Sequence, residues 1–153
     1  MKIRKAKRED APAIGAMLEE FCAFLKSIGD DTDFKCNADT FLRDGFGKNP
    51  AFKGLVADNN GEAVGYLLYH FGYNTDLAIR IVHIIDLYVR PEYRRQGIGK
   101  ALMEKAGEIC DKAGGKRLFW SVYTPNKNAL EFYRRIGARH TKDMEFMYLP
   151  LGK

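Results

Sequence analysis

The apolar residues of this chain follow two different rhythms, and the order in which the rhythms change outlines a fold. Ile14, Met17, Leu18, Phe21 and Leu25 recur at helical spacing, which predicts an amphipathic helix over 11–25. Asp10 stands where an N-cap belongs, and Pro12 is tolerated in the first turn. A short strand over 3–5 precedes this helix. The stretch 27–35, with Gly29-Asp30-Asp31, reads as a loop, and a shorter helix over 38–46 is closed by Gly47 and Pro50. The period then changes. An apolar run over 54–57, the turn Asp58-Asn59-Asn60-Gly61 and an aromatic-rich run over 63–73 predict a hairpin. After a turn at Asn74-Thr75-Asp76, residues 79–89 are apolar enough for a central strand, and Pro91 stops it because proline has no N–H to give a ladder.

Helical spacing returns at Ile98, Leu102, Ala106, Ile109 and Ala113, with Glu104, Lys105, Glu108, Asp111 and Lys112 opposite, until Gly114-Gly115 ends it. A strand over 117–123, a helix over 126–136 capped by Gly137, and a last strand over 144–149 complete the pattern. Antiparallel strands in the middle followed by β-α-β-α-β describe a mixed α/β layer, without internal repeats or low-complexity linkers.

Length and composition agree with one soluble domain: 153 residues, 46% apolar and 29% charged. No run approaches the roughly 20 apolar residues that span a bilayer, and the charged start has no apolar run after it, so a cytoplasmic protein without membrane association is expected. Cys22, Cys36 and Cys110 are widely separated and odd in number, and His70, His83 and His140 are scattered, so neither a disulfide framework nor a metal site is expected. Cys22 and Cys110 fall in helix patterns, where a thiol acts as a small apolar group. The net charge of +5 forms no nucleic-acid-type basic block. Its densest group, Arg90, Arg94, Arg95 and Lys100, surrounds two glycines.

That location carries the chemistry. In Asp86-Leu87-Tyr88-Val89-Arg90-Pro91-Glu92-Tyr93-Arg94-Arg95-Gln96-Gly97-Ile98-Gly99-Lys100 a buried strand gives way to a helix through Gly97 and Gly99. The first turn of a helix has N–H groups without intrahelical partners and a dipole that favours anions, which suits a diphosphate. A dinucleotide fingerprint needs glycine at 102, where Leu102 stands, and no Gly-Lys-Ser/Thr follows to make a P-loop.

Arg94-Arg95-Gln96-Gly97-Ile98-Gly99 resembles the Q/R-x-x-G-x-G/A motif of the GNAT superfamily of CoA-dependent N-acetyltransferases, and Asp86-Leu87-Tyr88-Val89 resembles that family's fourth strand. The likeness runs through nearly the whole chain. It implies a single domain over 1–153, with a mostly antiparallel sheet of about six or seven strands, splayed between the fourth and fifth, and about four helices. It implies acetyl-CoA as cosubstrate. The backbone of Leu87, Tyr88 and Val89 then meets the pantetheine arm, and Arg94, Arg95, Gln96, Gly97, Ile98, Gly99 and Lys100 meet the diphosphate. The segment from Trp120 to Ala138 resembles the family's second signature, with Asn126 beside the cofactor and Tyr133 reaching its sulfur as proton donor to the departing thiolate. The resemblance also places an oxyanion donor near Leu87 or Tyr88, where a bulge opens the sheet.

An amine of pKa near 10 must lose a proton before it attacks. Polyamine and thialysine acetyltransferases of this superfamily carry Glu-Asp before the equivalent strand end, whereas this chain has Ile85-Asp86. Asp86 is the first candidate base, ahead of His70 and His83. Strict alternation points its side chain away from His83 and Ile85 unless a bulge intervenes. The expected acceptor is a small primary amine, polyamine-like or amino-acid-like, attacking directly in a ternary complex. The loops 27–37 and 69–76 are expected to select it, with Glu19, Glu20, Asp30, Asp31 and Asp33 nearby. A peptide N-terminus, a lysine side chain, an aminoglycoside and a non-catalytic CoA-binding domain stand as alternatives, and a homodimer is implied by resemblance alone.

Overall fold

The computed structural model describes residues 1–152. Its centre is a five-stranded sheet in the order β1 (Lys2–Lys5), β2 (Lys53–Asn59), β3 (Glu62–Asn74), β4 (Ile79–Val89), β5 (Gly115–Phe119). The first four strands are antiparallel, and β5 runs parallel to β4 because helix α3 (Ile98–Lys112) carries the chain across between them. Helices α1 (Ala11–Ser27) and α2 (Ala38–Gly45) cover one face, where Ile14, Met17, Leu18 and Phe41 meet Val56, Tyr66, Leu68 and Tyr88. On the other face Ile98, Leu102, Met103 and Ala106 of α3 meet Leu55, Leu67, Val82 and Ile84, and Phe132 and Tyr133 of α4 (Lys127–Arg135) join at the margin. Among the described residues no helix is long and apolar enough to cross a membrane.

One departure from a regular sheet positions the site. The β4/β5 ladder pairs only Arg80 through His83 with Gly115 through Phe119. From Ile84 to Val89, β4 continues along β3 while the chain after Phe119 turns away, leaving a wedge between the fourth and fifth strands. The splay implied by the resemblance is therefore present.

Three expectations need correction. The sheet has five strands rather than six or seven. The strand expected over 117–123 spans Gly115–Phe119, because Gly115 already pairs with Arg80 and the wedge ends the ladder at Phe119. The last strand, over 144–149, is absent: its apolar side chains lie in solvent, Met144 at 71% and Tyr148 at 91% exposure, with no neighbouring strand to take its N–H and C=O groups. Asp10 is the N-cap of α1 as expected, but its side chain makes no capping bond. Its carboxylate turns away from α1 to accept the Lys7 N–H at 2.7 Å and two N–H groups of Arg4 at 2.8 Å each. A charged guanidinium outcompetes the neutral helix amides for a carboxylate.

Candidate active site

Along β4 the pairing with β3 is regular except at one point: Leu68 lies opposite Asp86 and Tyr69 opposite Ile84, so Ile85 is an extra residue. A bulge of this kind reverses the sense of alternation beyond it. Val82 and Ile84 face α3, and without the bulge Asp86 would face α3 as well; instead it lies on the α1 side with Tyr66 and Tyr88, the side His83 occupies before the bulge. The opposition of Asp86 and His83 expected from strict alternation is corrected accordingly. The bulge sits two residues before Leu87, and Ile85 itself is exposed.

Asp86 accepts a hydrogen bond from the Tyr66 phenol, Oη to Oδ2, at 2.5 Å. Burial pushes its carboxyl up to about 6, against the opposing pull of Tyr66 and the Leu87 N–H, both of which favour the charged form. A carboxylate with that affinity can hold a proton taken from an amine near neutral pH. Across the wedge, Tyr133 on α4 packs against Trp120 and Phe132, with ring centroids at 4.9 and 5.1 Å. Its phenol is raised above its usual value by burial first and by the charge of Asp86 second. It therefore stays protonated throughout the neutral range, as a proton donor must. Asn126 is buried and caps α4, its Oδ1 accepting the Ala129 N–H at 3.2 Å. This capping role accompanies any contact of its amide with a cofactor.

The turn expected to meet the diphosphate is built from backbone. Arg95 (φ 60) and Gly97 (φ 80) both adopt left-handed conformations, and the first intrahelical bond of α3 runs from Ala101 N–H to Gly97 C=O at 2.9 Å. The N–H groups of Ile98, Gly99 and Lys100 precede that bond, so they have no intrahelical acceptor. Gly97 satisfies the positive φ. Gly99 has a packing role as well: an added Cβ would meet the Phe132 ring at 3.1 Å, so Gly99 lets α4 approach α3. Arg94 turns back, Nε donating to Val89 C=O at 2.7 Å with its guanidinium over Tyr88, and Gln96 Nε2 reaches Glu92 C=O at 3.4 Å. Lys100 pairs loosely with Glu104 at 3.6 Å. On β4, the Arg90 N–H bonds to Val64 C=O, so 88 and 86 share bonds with β3 and the backbone groups of Leu87 and Val89 point the other way, into the wedge. Val89 spends its carbonyl on Arg94; Leu87 is the residue of the three whose backbone faces the gap uncommitted to Arg94.

On the α1 side a cavity of about 270 Å³ leads to Asp86, walled by Phe21, Leu25, Phe34, Phe52 and Ile85. A second, of about 470 Å³, adjoins it beside Glu19, Lys26 and Lys35. Phe34, Cys36 and Asn37 of the expected selecting loop line these cavities, whereas among the described residues the segment 69–76 contributes to neither. The acidic residues divide. Glu20 accepts from the Tyr88 hydroxyl at 3.2 Å and lies 3.4 Å from Arg90, Asp30 is held by Thr32 and Asp33 by Lys35, and only Glu19 lines a cavity. His70 and His83 pair with each other across the hairpin, Nε2 to Nδ1 at 2.9 Å, and His83 is lowered by burial and by His70. Tyr66 and Phe34 escaped sequence reasoning as site residues, and no local motif marks either; Trp120 opens the second signature, but its packing on Tyr133 was not read from it.

Residues 16–138 match the model of the acetyltransferase (GNAT) family. The chain is similar to the thialysine N-epsilon-acetyltransferase of Sus scrofa, 36% identical over 151 residues covering 94% of this chain and 86% of that protein. It is also similar over 85 residues to the L-ornithine N5-acetyltransferase of Arabidopsis thaliana, at 34% identity covering 56% of this chain and 37% of that protein. Among solved structures, a point mutant of the BH1408 protein of Bacillus halodurans superposes with a TM-score of 0.80, 24% identity and 99% coverage of both chains.

Proposed function

Since the chain belongs to the acetyltransferase (GNAT) family and is an N-acetyltransferase, we propose that it moves the acetyl group of acetyl-CoA to the terminal primary amine of a small molecule, amino-acid-like or polyamine-like, by direct attack in a ternary complex. The observation that carries this reading is the wedge where β5 parts from β4, with the Asp86 carboxyl held by Tyr66 on one side and the Tyr133 phenol packed against Trp120 on the other. Acetyl-CoA supplies an activated thioester. The chain's own fit to it is the run of N–H groups from Ile98 to Lys100, the left-handed turn before them, and the outward backbone of Leu87.

Asp86 accepts a proton from the incoming ammonium, directly or through water, with Tyr66 holding the carboxylate in place. Tyr133 donates its phenolic proton as sulfur departs. The candidate donor to the developing oxyanion is the Leu87 N–H, which also pulls on the Asp86 carboxylate and is shared between the two. The apolar walls around Asp86 suit an amine carried on a flexible aliphatic chain, and the named activities of the thialysine and ornithine enzymes fit that description. The reading also assigns the protein to the cytoplasm, where acetyl-CoA is available, and to a homodimer. The open outer edge of β5 and the exposed apolar side chains between Met144 and Leu151 support pairing of two copies.

The test is a panel of diamino acids, polyamines, aminoglycosides and peptides, with free thiol as the readout. Release with chain-borne terminal amines is expected. Release with peptides alone contradicts the acceptor class, and no release with any amine contradicts catalysis.

A further inference from the structure

Cys22, on α1, and Cys36, in the segment leading to α2, are 14 positions apart in the chain, yet their Sγ atoms lie 2.9 Å from each other. Both thiols are free and partly buried, and both line both cavities on the acceptor side. Their wide separation in the sequence gives no sign of this proximity. The third, Cys110, is buried against α3's own end, with Sγ toward Arg117 C=O.

We propose that Cys22 and Cys36 form a redox-active dithiol whose disulfide fastens the segment between α1 and α2 over the acceptor cavity and shuts out the amine. The proposal deepens the acetyltransferase reading above and rests on it for its functional half. The geometry needs little rearrangement, since the sulfurs already lie closer than ordinary van der Waals contact. Gating follows from position. Phe34 stands two residues before Cys36 and walls both cavities, and Asp86 lines the smaller of them. A covalent tie from Cys36 to α1 holds Phe34 where it walls both cavities and keeps the segment from swinging outward to admit an acceptor.

The oxidant is hydrogen peroxide. The Cys36 sulfur attacks one peroxide oxygen, the O–O bond breaks, and the departing hydroxide takes the thiol proton to give water and a sulfenic acid. The Cys22 sulfur then displaces hydroxide from Cys36, forming the S–S bond, and the Cys22 proton completes a second water. Two thiols are oxidised and one peroxide is reduced. Cys36 takes the first step because burial, with Cys36 itself as second cause, pushes the Cys22 thiol up to about 12 and makes it the slower nucleophile.

The experiment treats the reduced protein with hydrogen peroxide, alkylates the remaining thiols and maps the peptides by mass spectrometry. Expected is a Cys22–Cys36 cross-linked peptide lighter by two hydrogens, with Cys110 still alkylated, reversed by a dithiol reductant. Alkylation of both Cys22 and Cys36 after treatment, or conversion of Cys36 to a sulfinic acid without a cross-link, overturns the proposal. In the Cys22→Ser and Cys36→Ser variants the cross-link is lost, and each variant's own turnover is the same before and after peroxide; a peroxide-dependent loss there as large as in the wild type contradicts gating by the disulfide. In the oxidised wild type, amine turnover falls and returns on reduction, while stabilisation by acetyl-CoA persists. Unchanged turnover overturns the gating claim. Absence of turnover in the reduced protein instead counts against the acetyltransferase reading, and the peptide map still decides the chemistry.

Discussion

Tyr66 donates its phenol hydrogen to Asp86 at 2.5 Å, from the strand paired with the one that carries the carboxylate. The pair exists because Ile85 bulges out of β4 and turns Asp86 toward the α1 side. Removing the donor while keeping the ring separates the two influences on the carboxyl. Tyr66→Phe leaves burial in place and deletes a bond to the charged form, so the acidic limb of kcat/KM moves from near 6 to higher pH. A pH–rate profile measures the shift, and an unmoved limb contradicts the role of Tyr66.

Asp86→Asn keeps an acceptor for the Tyr66 phenol but cannot take a proton. Turnover falls about 10²-fold or more and the acidic limb near 6 disappears. Stability moves the other way. The Asp86 pKa is raised in the folded protein, so its contribution is fully present below its ordinary value near 3.8 and is lost as pH rises through about 6. The Asn variant therefore melts higher than the wild type at pH 8, and the difference closes toward pH 4.

Tyr133→Phe retains the packing against Trp120 and Phe132 and removes the proton donor. Expected is a loss of about 10²-fold in kcat with the stabilisation by acetyl-CoA intact. Full activity excludes the role.

The two glycines of the turn should respond differently. Gly97→Val forces a β-branched residue to φ 80 with open space around it, so its effect falls on the anion-binding turn and acetyl-CoA no longer raises the melting temperature. Gly99→Val drives a side chain into Phe132 and displaces α4, so it lowers kcat through Tyr133 as well as weakening the cofactor. Equal kinetic signatures for the two variants contradict this division.

Much of this arrangement was legible in the sequence, and the reasons are local. β4 keeps its read limits of Ile79–Val89 because its apolar run is bounded by a turn and by Pro91, and α3 follows its apolar period. What stayed hidden depends on pairing. A bulge at Ile85 has no residue signature, because it is a mismatch of register with β3, and it decides which way Asp86 faces. The meeting of Cys22 with Cys36 depends on how the loop folds back over α1. The apolar run over 146–149 is strand-like, but a strand forms only where an edge receives it.

Coenzyme A bound in a crystal of this protein tests the central claim most directly. The account predicts the diphosphate within hydrogen-bonding distance of the N–H groups between Gly97 and Lys100, the pantetheine arm along Leu87 in the wedge between β4 and β5, and the sulfur between Asp86 and Tyr133. A cofactor bound elsewhere, or a wedge closed by side chains with the sulfur remote from Tyr133, contradicts it.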